Sequence, residues 1–354
     1  MAEEATFDAE DHPHTRFNPL KGQWVLVSPH RLKRPWKGQI EATLPEAVPR
    51  WDANNPLCPR VTRPSGKEND DYENTYVFTN DFPALFPDGP SPGPPKHPLL
   101  QSGEAQGTCR VMCFHPYSDL QLVSMTQDDI IKVIERWMEQ TAELGEKFKW
   151  VSIFENKGVA NSNNHPHCQI WATSFLPNDP LQMDTNQRQY YAEKGRPMLV
   201  DYVQLEMKEK ERIVVENEHW LYVVPFWATW PYETMLLPKR HILRLTDLTE
   251  DEIKSLASIM KRMLVKYDNL FECSFLYTMG WLGAPTGPGY KDVDYSHWQL
   301  FATYNPPLVR SATVKKLLGG FEHFAQLQRD LTAETAAKKL RDLPDAHYTE
   351  KLKQ

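Results

Sequence analysis

The 354-residue sequence has few cysteines, no long hydrophobic run and no excess of positive charge. Its five cysteines are odd in number and scattered, which fits a reducing compartment better than a disulfide framework. No stretch approaches the length of a membrane span, and the acidic N-terminus lacks the apolar segment of a signal peptide. A net charge of −7 argues against a general nucleic-acid-binding protein. These absences predict a cytoplasmic globular protein with two domains, or one large domain built from two halves.

The most informative segment is His165-Pro166-His167-Cys168-Gln169. In a β-strand, His165, His167 and Gln169 would point to one face because alternate side chains share a face. Pro166 has no backbone N–H, which indicates a sheet edge or a bulge that a ligand can approach. Two imidazoles and an amide on one surface are typical of a nucleophile that attacks phosphorus, with its orienting and hydrogen-bonding neighbours. The alternative is a histidine pair with a purely structural role.

A basic segment at residues 30–37 (HRLKRPWK) stands out against the acidic composition. It suggests an anionic ligand, and a solvated surface loop explains it equally well.

The chain contains an internal repeat. Residues 167–173 (HCQIWAT) and 297–303 (HWQLFAT) share the His-to-Thr spacing together with Gln, Ala and Thr. Each follows a predicted helix with a capping signal, one at about residues 126–148 and one starting at Thr249, where Glu252 completes a capping box. Helix then strand, twice, indicates a duplication. Only the first copy has the His-x-His pair, so we expect the chemistry there and a scaffold in the second copy.

The remaining pattern predicts an α+β fold. Two similar halves, residues 1–178 and 188–354, would contribute to one largely antiparallel sheet with flanking helices. Shorter predictions are strands at residues 24–28, 76–79, 150–154 and 220–225, a Pro- and Gly-rich loop at 86–98, a polar surface excursion at 178–187, and two helices over 311–343 with a break near Asp330.

With these motifs in place, the chain closely resembles the galactose-1-phosphate uridylyltransferase family, a branch of the histidine-triad superfamily. Long matches in the same order run nearly end to end, which is far more specific than one short motif. Besides the His-Pro-His-Cys-Gln motif, they are residues 28–36 (SPHRLKRPW), 80–85 (NDFPAL), 154–158 (FENKG), 224–232 (VPFWATWPY) and 310–316 (RSATVKK).

The resemblance implies a two-step exchange. UDP-glucose gives its uridylyl group to a histidine and releases glucose 1-phosphate, and galactose 1-phosphate then takes the group to form UDP-galactose. His167 is the implied nucleophile and His165 its partner in the motif; the imidazole must be neutral to attack. Gln169 stands where histidine-triad hydrolases have a third His. An amide can hydrogen-bond a phosphoryl oxygen but cannot give a proton to a leaving group, which favours transfer over hydrolysis.

The resemblance also implies substrate contacts. Arg31 and Arg34 would offset charge on the nucleotide phosphates. The other implied contacts are Asn80, Asp81 and Phe82 for uridine and ribose, Asn156 and Ser162 for phosphate, and Lys316, Phe321 and Gln328 for the sugar phosphate. Lys316 and Gln328 come from the other subunit of a dimer in the family, so a homodimer is expected.

At both metal sites of the family, this sequence lacks several of the metal-ligating residues. At the structural zinc site of the bacterial enzymes the positions read Asn55, Cys58, Ser118 and His165, and two ligands fall short of the four that structural zinc prefers. At the second site they read Met183, Leu282, Phe301 and Thr303. We therefore expect that no cofactor is required, with any zinc at Cys58 and His165 incidental.

Two further departures concern the substrate. The loop before His165 is short and has Asn164 in place of a proline, and Phe321 replaces a tyrosine, a loss of one hydrogen bond worth about 0.5–1.5 kcal/mol. Two alternatives stay open beside the uridylyltransferase: a nucleotide-sugar or dinucleotide phosphorylase with the same nucleophile, and a weakly catalytic UDP-sugar-binding protein.

Overall fold

The computed structural model describes residues 6–33, 48–158 and 163–351. Within these ranges the strands are β1 (His14–Asn18), β2 (Gln23–Val27), β3 (Tyr76–Thr79), β4 (Gly107–Cys113), β5 (Trp150–Lys157), β6 (His167–Thr173), β7 (Ile213–Glu216), β8 (Trp220–Val223), β9 (Thr234–Pro238), β10 (Tyr277–Leu282), β11 (Phe301–Asn305) and β12 (Gln328–Arg329). The helices are α1 (Gln127–Gly145), α2 (Asn178–Lys194), α3 (Met198–Glu209), α4 (Glu250–Phe271), α5 (Gly320–Phe324), α6 (Ala333–Arg341) and α7 (Tyr348–Lys351).

Local signals place the two longest helices. The Thr126 side chain accepts a hydrogen bond from the Asp129 N–H at the start of α1. At the start of α4 the predicted capping box is present, with Thr249 and Glu252 satisfying each other's backbone N–H groups. The first helix was predicted to reach about residue 148, but α1 ends three residues earlier, at Gly145.

One large antiparallel sheet joins both halves of the chain. Its strand order in the described residues is β3-β4-β6-β5-β10-β11-β9-β8-β7. The first four strands, β3-β4-β6-β5, are mirrored by β8-β9-β11-β10 in the second half, and β5 pairs with β10 at the centre. Helix α1 lies between β4 and β5 in sequence, as α4 lies between β9 and β10. The predicted α+β fold is confirmed, and the order of elements repeats between the halves.

The main hydrophobic core lies between one face of this sheet and the helices α1 and α4. Trp137 of α1 and Met263 of α4 are fully buried there against Ile170 of β6, Met279 of β10 and Tyr304 of β11. On the opposite face, α2 and α3 cover the second half of the sheet in a separate hydrophobic cluster. The two halves of the sheet thus differ in what covers this second face.

The predicted surface excursion at residues 178–187 is wrong. These residues form the first part of α2, and Met183 and Gln187, one turn apart, are both buried. The surrounding sequence is mostly polar, so only the packing of Met183 and Gln187 reveals the helix.

A membrane-spanning helix is not found within the part of the chain that the structure describes.

The prediction for residues 311–343 is half right. The break near Asp330 is present and α6 follows it, but the first predicted helix shrinks to the five residues of α5. Gln328 and Arg329 instead form β12, which pairs with β2 in the parallel direction and completes a small sheet with the order β1-β2-β12. This pairing joins residues about three hundred positions apart, beyond the reach of local sequence signals.

Candidate active site

Strand β6 carries the central motif in the interior of the large sheet, between β4 and β5. The predicted edge position for Pro166 is therefore wrong. Pro166 immediately precedes the strand, where a missing N–H costs no sheet hydrogen bond, and its carbonyl accepts from the Phe114 N–H at 2.9 Å. His167 and Gln169 lie on one face of β6, partly exposed, while Cys168 and Ile170 are buried against the main core.

The hydrogen bond of His167 defines its tautomer. Its Nδ1 lies 2.7 Å from the carbonyl oxygen of His165, which can only accept, so Nδ1 carries the proton. The lone pair of the neutral ring is then on Nε2. Burial lowers the pKa of His167 below its usual value, which favours the neutral ring.

Gln169 is oriented by a neighbour on its own strand. The indole N–H of Trp171 donates to Oε1 of Gln169 at 3.0 Å. Because the oxygen faces this donor, the amide nitrogen with its two N–H groups is turned the other way. Phe154 of β5 pairs with Gln169 and packs edge-on against the Trp171 ring, which holds this arrangement in place.

His165 lies among three buried side chains, those of Cys58, Tyr72 and Ser118, and we call these four residues the His165 cluster. The imidazole Nδ1 lies 2.8 Å from Ser118 Oγ, and Nε2 lies 3.0 Å from the Tyr72 hydroxyl. Cys58 Sγ is 3.2 Å from Ser118 Oγ. Burial lowers the pKa of His165 to about 4, so the ring is neutral at pH 7.

This donor set does not fit a structural zinc ion. A serine hydroxyl stands where a third ligand would be, and the Asn55 amide is paired reciprocally with the Asn163 amide at 2.7–2.9 Å. Zinc takes Cys, His and carboxylate ligands, and four of them in structural sites. No group of three or more potential metal ligands occurs among the described residues.

The positions of the second family metal site lie in an apolar environment. Met183 of α2 and Phe301 of β11 are buried in the cluster under α2 and α3, and Leu282 of β10 packs against it. Thr303 lies two residues beyond Phe301 on β11 and faces the same way.

Asn156 continues the face of Phe154, two residues further along β5, and so lies on the same face as His167 and Gln169. The turn after β3 carries Asn80, whose side chain accepts from the Phe82 N–H at 3.0 Å, and Phe82 itself is exposed. Asp81 forms a largely buried ion pair with Arg63 at 2.8 Å.

Arg63 was not identified from the sequence. Its guanidinium also stacks on the Phe78 ring of β3 at 4.0 Å, so it fixes both the strand and the Asp81 carboxylate. A single arginine in the sequence does not indicate a role, and its partners Phe78 and Asp81 are 15 or more residues away.

The remaining predicted contacts form a second group around the small sheet. Arg31 pairs with Asp330 at 3.3 Å, and the Gln328 amide donates to the same carboxylate. Lys316 donates to the backbone carbonyls of Thr229 and Gln328, and its burial lowers its pKa to about 8. Phe321, on α5, is half exposed. Among the described residues, no hydrogen bond or ion pair joins this group to His165, His167 or Gln169. Arg34 and Ser162 lie outside the described residues.

In the second repeat, His297 and Gln299 stand at the positions of His167 and Gln169, and both have structural partners. The Gln299 amide is fully buried and bonds the backbone of Pro238, Arg240 and Ile242. His297 is buried beside Asp184 at 2.6 Å. The cross-strand register places Phe301 on the same sheet face as Gln169, but here the face is filled by the cluster under α2 and α3. Among the described residues, the face that carries His167 and Gln169 in the first repeat is thus covered by packed side chains around Phe301 in the second.

Comparisons with known proteins agree with this picture. A model described as galactose-1-phosphate uridyl transferase, N-terminal domain, matches residues 5–177, and the corresponding C-terminal domain model matches residues 183–352. The chain belongs to the galactose-1-phosphate uridylyltransferase family. It is 53% identical to the galactose-1-phosphate uridylyltransferase of Rattus norvegicus, over 97% of this chain and 91% of the relative. The enzyme of the same name from Haemophilus influenzae is 52% identical, over 99% of both chains.

Solved structures share the fold of this family member. A uridylyltransferase structure superposes with a TM-score of 0.71 at 26% identity, covering 92% of this chain and 97% of that one. An ADP-glucose phosphorylase from Arabidopsis thaliana gives the same TM-score at 21% identity, covering 94% of this chain and 99% of the other. At that identity the second likeness concerns the fold alone.

Proposed function

We propose that this protein transfers uridylyl from UDP-glucose to galactose 1-phosphate through a covalent uridylyl-His167 intermediate. In the first step His167 Nε2 attacks the α-phosphorus, and the bond from that phosphorus to the phosphate oxygen of glucose 1-phosphate breaks. In the second step a phosphate oxygen of galactose 1-phosphate attacks the same phosphorus and the N–P bond breaks. UDP-galactose leaves and His167 returns to its neutral form.

The observation that carries this proposal is the bond from His167 Nδ1 to the carbonyl oxygen of His165. It leaves the Nε2 lone pair for the attack, so no proton has to move before the reaction. Once Nε2 is bonded to phosphorus the ring is cationic, and the bond from Nδ1–H to the carbonyl becomes a stronger, charge-assisted one.

Gln169 supplies donors where the reaction needs them. Its amide nitrogen, turned away from Trp171, donates to a non-bridging oxygen of the transferring phosphoryl group as negative charge develops there. The leaving group is a phosphate monoester, with a second pKa of about 6, and departs without being protonated. A general acid at this position is therefore unnecessary.

No metal takes part in this account. The His165 cluster lacks a zinc ligand set, and the second family site lies among apolar side chains, so the chemistry is assigned to side chains alone. Any zinc held by Cys58 and His165 would be incidental.

The sugar-phosphate contacts are assigned to a homodimer. Lys316, Phe321 and Gln328 lie in the second group, apart from the nucleophile of their own chain as far as the described contacts go. In the proposed dimer they reach the sugar phosphate bound at the partner's His167, while Arg31 and Arg34 serve the nucleotide phosphates.

Initial-rate kinetics of the chelator-treated protein test the proposal. Rates are measured against UDP-glucose at several fixed concentrations of galactose 1-phosphate, with His167→Ala as the control. We expect parallel double-reciprocal lines, equal amounts of glucose 1-phosphate and UDP-galactose, and no turnover by His167→Ala.

Other results would redirect the assignment. Turnover with inorganic phosphate but not with galactose 1-phosphate would indicate a phosphorylase. Binding of UDP-glucose without turnover would indicate a binding protein, and turnover that returns only with zinc would overturn the metal-free mechanism.

A further inference from the structure

The His165 cluster is fully enclosed. Cys58, Ser118 and His165 are at most 1% exposed, and Tyr72 is 8% exposed. Tyr72 also stacks flat on Tyr76 of β3, with ring centroids 4.8 Å apart, which fixes the position of its hydroxyl. Four polar side chains enclosed together need mutually matched donors and acceptors, because a buried polar group without a partner destabilises the fold.

The proton positions in the cluster follow from the carbonyl oxygen of Leu57, which can only accept a hydrogen bond. The Tyr72 hydroxyl gives its only proton to the carbonyl oxygen of Leu57. It must therefore accept from His165 Nε2, which places the imidazole proton on Nε2. Nδ1 is then an acceptor, and the Ser118 hydroxyl donates to it. The Ser118 oxygen in turn accepts from the Cys58 thiol. In this series of hydrogen bonds each donor has one acceptor, and both ring nitrogens of His165 are hydrogen-bonded.

The backbone of His165 is held as firmly as its ring. Its N–H donates to Asn163 Oδ1 at 2.8 Å, and Asn163 is itself paired with Asn55. The Gln121 amide holds the carbonyl of Asn164. Pro166 restricts the backbone of the preceding residue, so the direction of the His165 carbonyl depends on how the His165 residue is anchored. That carbonyl is the acceptor for His167 Nδ1–H.

We infer that Tyr72 and Ser118 are positioning residues for the nucleophile. By clamping both nitrogens of the His165 ring, they fix the His165 carbonyl that keeps the proton of His167 on Nδ1. A hydrogen-bonded cluster thus does the orienting that a metal ion would do with a complete ligand set. This inference rests on the proposed function, because it assigns these residues to the reactivity of His167.

The test compares Tyr72→Phe and Ser118→Ala with Tyr277→Phe. Tyr277 is likewise a buried tyrosine with a hydrogen-bonded hydroxyl, but its hydroxyl donates to Glu155 on the other face of the sheet from His167. Rapid-quench measurements give the rate of uridylyl transfer to His167 at saturating UDP-glucose, and calorimetry gives the Kd of UDP. All proteins are treated with chelator.

We expect Tyr72→Phe and Ser118→Ala to slow uridylyl transfer by about 10–100-fold, the cost of a misplaced reacting group, while the Kd of UDP stays within about 2-fold. Tyr277→Phe should transfer at the wild-type rate. A slowing no larger than that of Tyr277→Phe, or a rise in Kd by the same factor as the rate falls, would overturn the inference.

A spectroscopic readout separates this inference from the proposed function. Long-range proton–nitrogen NMR spectra of labelled histidine report which ring nitrogen is protonated. In the wild type we expect His165 protonated at Nε2 and His167 at Nδ1, and in both variants a new population of His167 protonated at Nε2. This pattern is expected even if no uridylyl adduct forms, in which case only the proposed function fails. An unchanged His167 signal in both variants would contradict the positioning role, as would stoichiometric zinc in the purified protein that is lost in Cys58→Ala.

Discussion

At the scale of single residues, two hydrogen bonds decide what the site offers to a substrate. The His165 carbonyl oxygen accepts from Nδ1–H of His167, and the Trp171 indole N–H donates to Oε1 of Gln169. What remains is a lone pair on Nε2 and a pair of N–H donors on the amide. A nucleophile beside donors matches the needs of phosphoryl transfer, in which negative charge grows on the oxygens around phosphorus.

The role of Gln169 predicts the effect of Gln169→Glu. The ionised carboxylate cannot donate and repels the phosphoryl oxygens, so kcat should fall by at least about 100-fold, as when an oxyanion donor is removed. Trp171→Phe, which only releases the amide to rotate, should cost about 3–10-fold, within the range of a single neutral hydrogen bond. Steady-state kinetics check both variants. A loss of less than tenfold in Gln169→Glu would contradict the donor role.

A second residue, Glu155, predicts a pH dependence of stability. Burial raises the pKa of its carboxyl to about 7, although Lys157 and the Tyr277 hydroxyl partly offset this. The folded protein thus holds this proton more tightly than the unfolded chain, and the stabilisation, complete below the unfolded pKa near 4.5, is lost as the pH rises to about 7. Glu155→Gln keeps the acceptor for Tyr277 without a charge.

We expect Glu155→Gln to be more stable than the wild type above pH 7, with a difference that grows between pH 5 and 8 by up to about 3 kcal/mol. Urea unfolding at several pH values measures it. The exposed Glu139 of α1 provides the control Glu139→Gln. A difference that is constant with pH would mean that Glu155 is ionised in the folded protein.

At the scale of elements, β5 and β6 bring the site together and Gly158 ends β5. This glycine has a positive φ of 67°, and a Cβ atom added there would overlap the Leu276 side chain. Gly195, at the end of α2, has a similar φ of 70° but open space around it. The two positions therefore separate backbone strain from steric overlap.

Gly195→Ala should cost about 1–2 kcal/mol of unfolding free energy from backbone strain alone. Gly158→Ala should cost about 1–3 kcal/mol more, because Leu276 must move. It should also slow uridylyl transfer, since β5 lies beside β6, which carries the proposed nucleophile. Denaturant unfolding and initial rates check this pair. Equal losses in both variants would show that Leu276 yields freely.

What the sequence predicted at this scale depended on local signals. The capping box of Thr249 and Glu252, the strand at residues 76–79 and the motif around His167 are each encoded within a few neighbouring positions. The β2–β12 pairing depends on distant residues and was missed. The His165 cluster was only half foreseen: Cys58 and Ser118 appeared as remnants of a metal site, but nothing local pointed to Tyr72, 93 residues from His165.

At the scale of the whole molecule, the duplicated order of strands gives two similar halves that differ in what covers one face of the sheet. The sheet face is available at His167 and Gln169 in the first half, and α2 and α3 fill it in the second. The small sheet then ties the N-terminal strands to the C-terminal segment that carries Gln328. The proposed nucleophile and the proposed sugar-phosphate contacts thus lie on separate parts of one chain.

The proposed dimer predicts complementation between two defective subunits. His167→Ala should be inactive and Gln328→Ala strongly impaired, each as a homodimer. After unfolding and refolding as an equal mixture, about a quarter of the wild-type activity should appear, because half of randomly formed dimers are mixed and each has one intact site. Activity assays on the mixture check this. Activity no higher than the average of the two separate proteins would place both residues in a site made by one chain.

The most direct test of the central claim is the mass of the protein after incubation with UDP-glucose alone. The chelator-treated protein should gain one uridylyl group per chain, digestion should locate it on His167, and galactose 1-phosphate should remove it. His167→Ala should gain nothing. A protein that turns over both substrates but never carries the group, or carries it on another residue, would contradict covalent transfer through His167.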